Sequence, residues 1–159
     1  MKADPWAEGT GYDAGKKIKG VKRHVVVDVL GLLIGVIVHS AAIQDRDGAK
    51  RLILRIKGRV PRVTLIWGDG GYQGQLVKWV EDETGWTLEI VKRTDDKSTF
   101  QVLPKRWIVE RTFGWLSYRR IMNRHHERKY DTAENIMRIA MTKNMLRYLT
   151  QEAVVEKAA

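Results

Sequence analysis

The first residue in this sequence that is well placed to do chemistry is Asp69. It directly follows an apolar run, 63–67, and lies in the segment WGDGGYQG. Ligands bind at the carboxyl ends of strands in open α/β sheets, and the neighbouring glycines allow the backbone to approach a ligand closely. Taken alone, Asp-Gly is also an ordinary turn signal. A carboxylate in this position can hold a divalent cation, so Asp69 is a candidate metal ligand. Divalent cations held by carboxylates commonly support phosphodiester chemistry.

The second such residue is Glu110, which lies in the most basic stretch of the chain. Arg106 precedes it by four residues, so the two share a helix face. One interpretation is a simple ion pair on a solvated helix, and the other is a metal-binding carboxylate beside a phosphate-binding arginine. If the two carboxylates work together, those of Asp69 and Glu110 should lie within roughly 8 Å, close enough to share metals ~4 Å apart.

The composition restricts the class of protein. The 159 residues are 43% hydrophobic and carry a net charge of +10, which fits one globular domain and excludes a disordered tail. The absence of cysteine excludes disulfide scaffolds and thiolate metal sites. The longest apolar stretch, 25–42, is interrupted by Asp28 and His39, and the first residues carry no apolar signal-peptide core. We therefore expect a soluble cytoplasmic protein.

The positive charge is concentrated and points to a polyanion. Residues 101–150 hold 11 basic and 4 acidic side chains. Aromatic residues are interleaved there, which favours a surface that neutralises phosphates and stacks on bases. A solvated face with buried aromatic side chains is the alternative. The candidate DNA contacts are Lys16, Lys17, Lys105, Arg111, Tyr118, Arg119 and Arg120.

The elements that must position these residues form an α/β pattern. The sequence predicts strands at 21–29, 32–40, 63–67 and 86–91, with an antiparallel hairpin turning at 28–31 and the third strand buried at the centre of a sheet. It predicts helices at 48–58, 73–84, 105–122 and 132–150, and a polar loop at 92–104. Asp47 is the predicted cap of the first helix and Gly85 that of the second. Pro104 is the expected start of the third helix.

The last helix and the histidines carry further predictions. Asp131 and Glu134 form a predicted capping box. The apolar side of that helix is expected to comprise Ile136, Ile139, Ala140, Met145 and Leu149. His24 and His39 are expected to pack within or on strands, whereas His125 and His126 are expected to contact phosphate or solvent.

Several ordered blocks carry a resemblance to a known family. These blocks are GYDAGKKIKGVKRHVVVDVLGL, QDRDGA, WGDGGYQG, VKRTDDKSTFQVLPKRWIVERTFGWL and the YRR that follows. From Gly11 to about Leu149 the chain resembles the catalytic domain of bacterial insertion-sequence transposases of the IS4/IS5 type, which are DDE enzymes with an RNase H-like fold. The resemblance implies that Asp69 is the second catalytic aspartate and Glu110 the catalytic glutamate. Arg106 matches the arginine of the family's Tyr–Arg–Glu–Lys signature, and the implied cofactor is Mg²⁺ or Mn²⁺.

The match departs from the family pattern at three places. The signature tyrosine is replaced by Leu103 and the signature lysine by Ser117. The family's opening strand, with the first catalytic aspartate, has no counterpart in the segment before GYDAGKK. Asp4, Asp13 and Asp28 are interpreted as structural or loop residues. We therefore expect a mixed RNase H-like sheet that lacks its first strand.

The predicted function is DNA transposition by metal-dependent phosphodiester hydrolysis and strand transfer. The alternative is a non-catalytic DNA-binding or regulatory fragment of a transposase. Expected partners are double-stranded DNA at element ends and target, and either a second copy of the chain or an upstream-encoded transposase fragment. The predicted organisation is a flexible segment at 1–15, a catalytic domain at 16–150 and a tail at 151–159.

Overall fold

The computed structural model describes residues 1–4, 6–91 and 105–158, with the side chains of all these residues except Arg106 and 151–158. Its helices pack on two β-sheets. The strands are β1 Gly11–Asp13, β2 Ile18–Val27, β3 Leu33–Ser40, β4 Leu65–Gly68 and β5 Thr87–Ile90. Strands β1, β2 and β3 form an antiparallel sheet in that order, and β4 and β5 form a two-stranded parallel sheet. The helices are α1 Asp45–Ile56, α2 Gln75–Thr84, α3 Arg106–Ser117 and α4 Tyr130–Ala158, with 3-10 turns at Gly70–Tyr72 and Arg120–Met122.

The predicted hairpin is confirmed. β2 and β3 pair antiparallel from Val21 opposite Ser40 to Val27 opposite Leu33. Asp28 closes the turn, because its Oδ1 accepts hydrogen bonds from the backbone N–H groups of Leu30 and Leu32. The turn also needs a residue at φ +80°, which glycine supplies at position 31.

Strand β3 lies between two hydrophobic clusters, which is why five consecutive residues of it, 35–39, are buried. Val36 and Val38 face one cluster, which includes Leu116 of α3 and Met137 and Met141 of α4. Ile37 faces the other, built from α1, α2 and β5. Because side chains alternate across a strand, burial on both faces requires apolar residues at successive positions.

Helix α1 packs closely on the hairpin through glycine. A Cβ on Gly48 would lie 2.3 Å from His39 Nε2 and 2.6 Å from His24 Nε2, so no larger residue fits without displacement. The helix begins at Asp45 and its N-cap is Gln44, which makes no side-chain capping bond. The predicted cap at Asp47 was wrong, since Asp47 lies in the first helical turn.

The strand predictions around β4 were partly wrong. Gly85 ends α2 in the left-handed conformation, as predicted. Within the described residues, however, β4 pairs only with β5, so it is a partly buried strand at a sheet edge rather than a central one. The predicted loop at 92–104, with Leu103 and Pro104, lies outside the described residues. Helix α3 ends at Ser117, earlier than predicted, and a 3-10 turn follows.

Helix α4 is longer than predicted and its buried face differs. It begins at Tyr130, so Asp131 already lies within it and the predicted capping box was wrong. Glu134 is instead buried and accepts a hydrogen bond from the backbone N–H of Val38 at 3.0 Å. The core-facing residues include Ala133, Met137, Ala140 and Met141. Ile139 and Leu149, predicted to be on the apolar side, are 71% and 63% exposed.

The first residues are held by pairing and by ions. Lys2 bridges Gly20, and Ala3 bridges His125. Asp4 is buried and forms an ion pair with Arg124, whose Nε lies 2.6 Å from its Oδ1, and His126 Nδ1 lies 2.7 Å from its other oxygen. His125 is fully buried, so the prediction that it contacts phosphate or solvent was wrong. No described helix is long and apolar enough to cross a membrane.

Candidate active site

Asp69 lies at the end of strand β4, as predicted. The strand stops at Gly68, and Asp69 keeps an extended backbone as the cap of the 3-10 turn. Its Oδ1 accepts a hydrogen bond from the N–H of Gly71 at 2.9 Å. The carboxylate is therefore oriented by its own turn while the residue stays exposed.

Glu110 and Asp69 line the same cavity, although 41 positions separate them in the sequence. The cavity has a volume of about 460 Å³ and lies between β2, the end of β4 and α3. Glu110 lies in the middle of α3 on an exposed face. The structure thus brings the two predicted carboxylates to one cavity, and the 8 Å separation between them stays a prediction.

Asp45 is a third carboxylate of this cavity, and sequence reasoning missed it. A Cβ on Gly71 would lie 3.1 Å from Asp69 Oδ1 and 3.8 Å from Asp45 Oδ2. These two oxygens therefore flank one glycine and are no further apart than the sum of the two distances. The signal was present in the QDRDGA block, but nothing in that block shows that the first turn of α1 lies beside the turn after β4.

Lys22 connects the acidic residues on the β2 side of the cavity. Its Nζ lies 3.0 Å from Asp45 Oδ1 and 3.8 Å from Asp13 Oδ2, and donates to the carbonyl of Ile43 at 2.9 Å. Asp13 also accepts from the N–H of Lys16, which with the nearby Lys22 lowers the pKa of its carboxyl. Asp13, interpreted above as a loop residue, is therefore the last residue of β1 and part of the cavity wall.

A neutral polar cluster stands behind the carboxylates. Tyr72 Oη lies 2.8 Å from His24 Nδ1, and the rings of His24 and His39 stack at 4.8 Å. Burial, with His39 as a second cause, lowers the pKa of His24 to about 4. Burial and the charges of Asp69 and Asp45 raise the pKa of Tyr72. Near neutral pH these groups hold and orient their neighbours without changing charge, so the packing role predicted for the two histidines agrees with their burial.

Comparison with known proteins identifies the family. A protein-family model described as "Transposase DDE domain" matches residues 2–145. This chain belongs to the DDE transposase family. Its function is therefore related to transposition, and DNA is its partner class. Searches of curated proteins and of solved structures gave no match.

A DDE transposase is expected to bind a divalent metal ion, and the carboxylates of the cavity are the candidate ligands. Carboxylate oxygens are the ligands that Mg²⁺ and Mn²⁺ prefer. Across residues 1–4, 6–91 and 105–158, however, no three His, Cys, Asp or Glu side chains are grouped so that they could hold one ion. The carboxylates that line the cavity have suitable donor atoms, but within the described part of the chain they form no such group of three.

Two predicted DNA contacts, the exposed residues Lys16 and Lys105, line the cavity. The ammonium of Lys105 lies 3.8 Å from the centre of the Trp67 ring, whose Nε1 donates to Glu89. This cation–π contact holds a positive charge against a residue only two positions from Asp69 along the chain. Lys17 follows Lys16 in the sequence and lies in an exposed turn with φ +51°.

The remaining predicted contacts differ in their exposure and in whether they already have protein partners. Arg111 donates to the carbonyl of Leu30 at 2.7 Å and lies against the rings of Trp107 and Trp115, so its guanidinium already has protein partners. Tyr118 and Arg120 are exposed, and Arg119 is partly buried. Arg106 lies in the first turn of α3, and its side chain is outside the described part of the chain.

Proposed function

We propose that this transposase domain takes part in the movement of an insertion sequence of the IS4/IS5 type, by hydrolysis and transfer of DNA phosphodiester bonds on an RNase H-like fold. The observation that carries the proposal is the meeting of Asp69 and Glu110 in one cavity with basic residues at its edge. A family match alone would be compatible with carboxylates that lie apart.

The cavity supplies the two things that phosphoryl transfer needs from a protein. The cationic side chains of Lys16 and Lys105 attract DNA phosphates and neutralise their charge. Asp69, oriented by the Gly71 N–H, and Glu110 supply the carboxylate oxygens that would hold a divalent cation beside the bound phosphate. Arg106 is assigned to orienting Glu110 or a phosphate.

Mg²⁺ or Mn²⁺ is the proposed cofactor, and the resemblance to DDE enzymes implies one carboxylate ligand in addition to Asp69 and Glu110. Asp69 and Glu110 are the proposed ligands from this chain. When bound, such ions activate the attacking oxygen and stabilise the leaving one. We assign the missing ligand to a strand from a partner.

Both edges of the cavity are suited to receive that strand. Among the described residues β1 pairs only with Ile18 to Gly20 of β2, so Lys22 to Val25 have no strand on the side away from β3, and all four of these residues line the cavity. The end of β4 borders the same space, and among the described residues no strand of one sheet pairs with a strand of the other. An upstream-encoded transposase fragment that adds a strand here would place a new carboxylate beside Asp69.

The test is cleavage of a plasmid that carries the DNA flanking the coding region. Cleavage is measured in Mg²⁺ and in Mn²⁺, with the chain alone and with the chain copurified with the upstream-encoded fragment. We expect metal-dependent nicking in the presence of the fragment, and its loss in Asp69→Asn and in Glu110→Gln. Asp82→Asn and Glu81→Gln are matched controls, because both residues are exposed on α2 and neither lines the cavity.

Nicking by Asp69→Asn at the unsubstituted rate would contradict the assignment. DNA binding without cleavage in every arm would instead favour the non-catalytic alternative, in which the chain regulates a full-length transposase by mixed assembly. The salt dependence of binding, measured on the same plasmid, verifies in each arm that DNA is engaged through its phosphates.

A further inference from the structure

A second recess, which we call the α3–α4 groove, shares no lining residue with the cavity of Asp69 and Glu110. It has a volume of about 630 Å³ and lies between the end of α3 and the middle of α4. Most of its lining residues are either cationic or aromatic: Trp115, Tyr118, Arg119, Lys143, Arg147 and Tyr148. Among the lining residues of the groove, only Tyr118 and Arg119 are predicted DNA contacts, and neither has yet been assigned to a particular part of the DNA.

The charge of the α3–α4 groove favours an anion. Lys143 and Arg147 are four residues apart on α4, so they lie on one face of the helix and repel each other. Arg119 adds a third cation from beyond α3, where its Nη2 donates to the carbonyl of Ala140 at 3.4 Å. None of the described residues that line the groove is acidic. A bound phosphate chain would relieve this repulsion.

The aromatic residues make the α3–α4 groove more specific than a basic patch. Trp115 and Tyr148 contact each other with ring centres 6.0 Å apart and form a fixed wall. Tyr118 is 90% exposed, so its ring is open to a planar ligand. Such a ring can stack on the face of a nucleic-acid base only where that face is not already covered by a neighbouring base pair of a duplex.

We propose that the α3–α4 groove binds unpaired nucleotides of a DNA strand. Tyr118 stacks on a base, while Lys143, Arg147 and Arg119 hold the flanking phosphates. The proposal rests on the proposed function in one respect, that DNA is the substrate. It adds a binding site that would hold a frayed or nicked strand apart from the cavity where the carboxylates lie.

Fluorescence anisotropy with two labelled probes tests this. One probe is a blunt DNA duplex, and the other is the same duplex with an unpaired run of thymidines at one end. We expect tighter binding of the overhang probe, and a loss of about tenfold for that probe in Tyr118→Ala, from the typical worth of one base–aromatic stack. Binding of the blunt duplex should fall by a smaller factor, because its bases are paired and stacked on one another. Because Tyr118 is exposed, its removal leaves the core intact.

The controls separate stacking from other effects. Tyr118→Phe keeps the ring and should retain overhang binding. Tyr12→Ala removes an exposed tyrosine of β1 that lines neither recess, and should leave both affinities unchanged. Lys143→Ala and Arg147→Ala should each reduce the salt dependence of overhang binding by about 0.7 per lost phosphate contact.

Different results overturn the two proposals. If the unsubstituted chain binds the blunt duplex as tightly as the overhang probe, or if Tyr118→Ala weakens both equally, the groove does not read unpaired nucleotides and the proposed function stands. If the chain binds neither probe at low salt, the proposed function itself fails.

Discussion

The carboxylates of this transposase occur in two contrasting settings. Glu134 is buried between the hairpin and α4, where it accepts from the Val38 N–H and from Arg138 at 3.0 Å each and pairs with Arg55. Asp69 and Glu110 are exposed in a cavity. A buried charge must be satisfied within the protein, whereas a charge that serves a ligand must remain accessible to it. The contrast separates a carboxylate that holds the fold together from carboxylates that are placed for chemistry.

The largest expected effect is a loss of nicking activity with no loss of folding stability. Asp69→Asn and Glu110→Gln should each lower the nicking rate by about a thousandfold or more, as is usual for residues that work as a unit in one site. Their free energies of unfolding should change by less than about 0.5 kcal/mol, because both residues are exposed. Nicking assays and urea titrations on the same preparations measure the two quantities. A large loss of stability in either variant would show that this carboxylate, like Glu134, holds the fold together.

Glu134→Ala should show the opposite behaviour. We expect it to destabilise the protein by about 2–3 kcal/mol, because the buried N–H of Val38 loses its acceptor, although the half-exposed arginines can turn to water. Asp131→Ala, an exposed acidic residue in the first turn of the same helix, should cost less than about 1 kcal/mol. Urea unfolding at pH 7 measures both. Equal losses would show that burial does not distinguish the two residues.

The histidine cluster behind the cavity makes stability depend on pH. The pKa of His24 is about 4 in the folded protein, against the ordinary histidine value of 6.5, so below pH 6.5 the unfolded chain binds more protons than the folded one. This contribution to stability is complete above pH 6.5 and is lost as the pH falls towards 4. Between pH 7 and pH 5 the loss is about 2 kcal/mol.

His24→Gln is the matching control for that pH dependence. The groups that act on His24 are His39, Asp45, Lys22 and Asp69, with Tyr72 at its Nδ1. The variant should be less stable at pH 7, and its stability should fall less steeply between pH 7 and pH 5. An unchanged slope would mean that His24 is not the group that titrates.

The smallest expected effect concerns an exposed ion pair. Lys57 and Glu83 pair on the surface with side chains 40% and 37% exposed. Lys57→Ala should change the free energy of unfolding by less than about 0.5 kcal/mol, because exposed pairs gain little over solvation in water. Urea unfolding at low and at high salt measures this. A loss as large as that of Glu134→Ala would remove the distinction between buried and exposed pairs.

Elements that depend on neighbouring residues could be predicted from the sequence. The hairpin follows from β-branched runs on either side of Asp28, whose turn bonds reach no further than Leu32. Glu134 was misassigned as part of a capping box because its actual partners, Val38 and Arg55, lie 96 and 79 positions away. Asp45 was missed for the same reason, since its closeness to Asp69 depends on the packing of α1 against the turn after β4. Local patterns determine turns and strands, but long-range packing determines which carboxylates meet.

The account depends most on Asp69 and Glu110 acting in one site, and a double-mutant cycle on nicking tests this directly. The rates of Asp69→Asn, Glu110→Gln and the double variant are compared with that of the unsubstituted chain, each with the complementing fragment present. If the two carboxylates serve the same step, the double variant should be about as slow as the slower single one. Losses that multiply in the double variant, or single variants that keep full activity, would contradict a shared site.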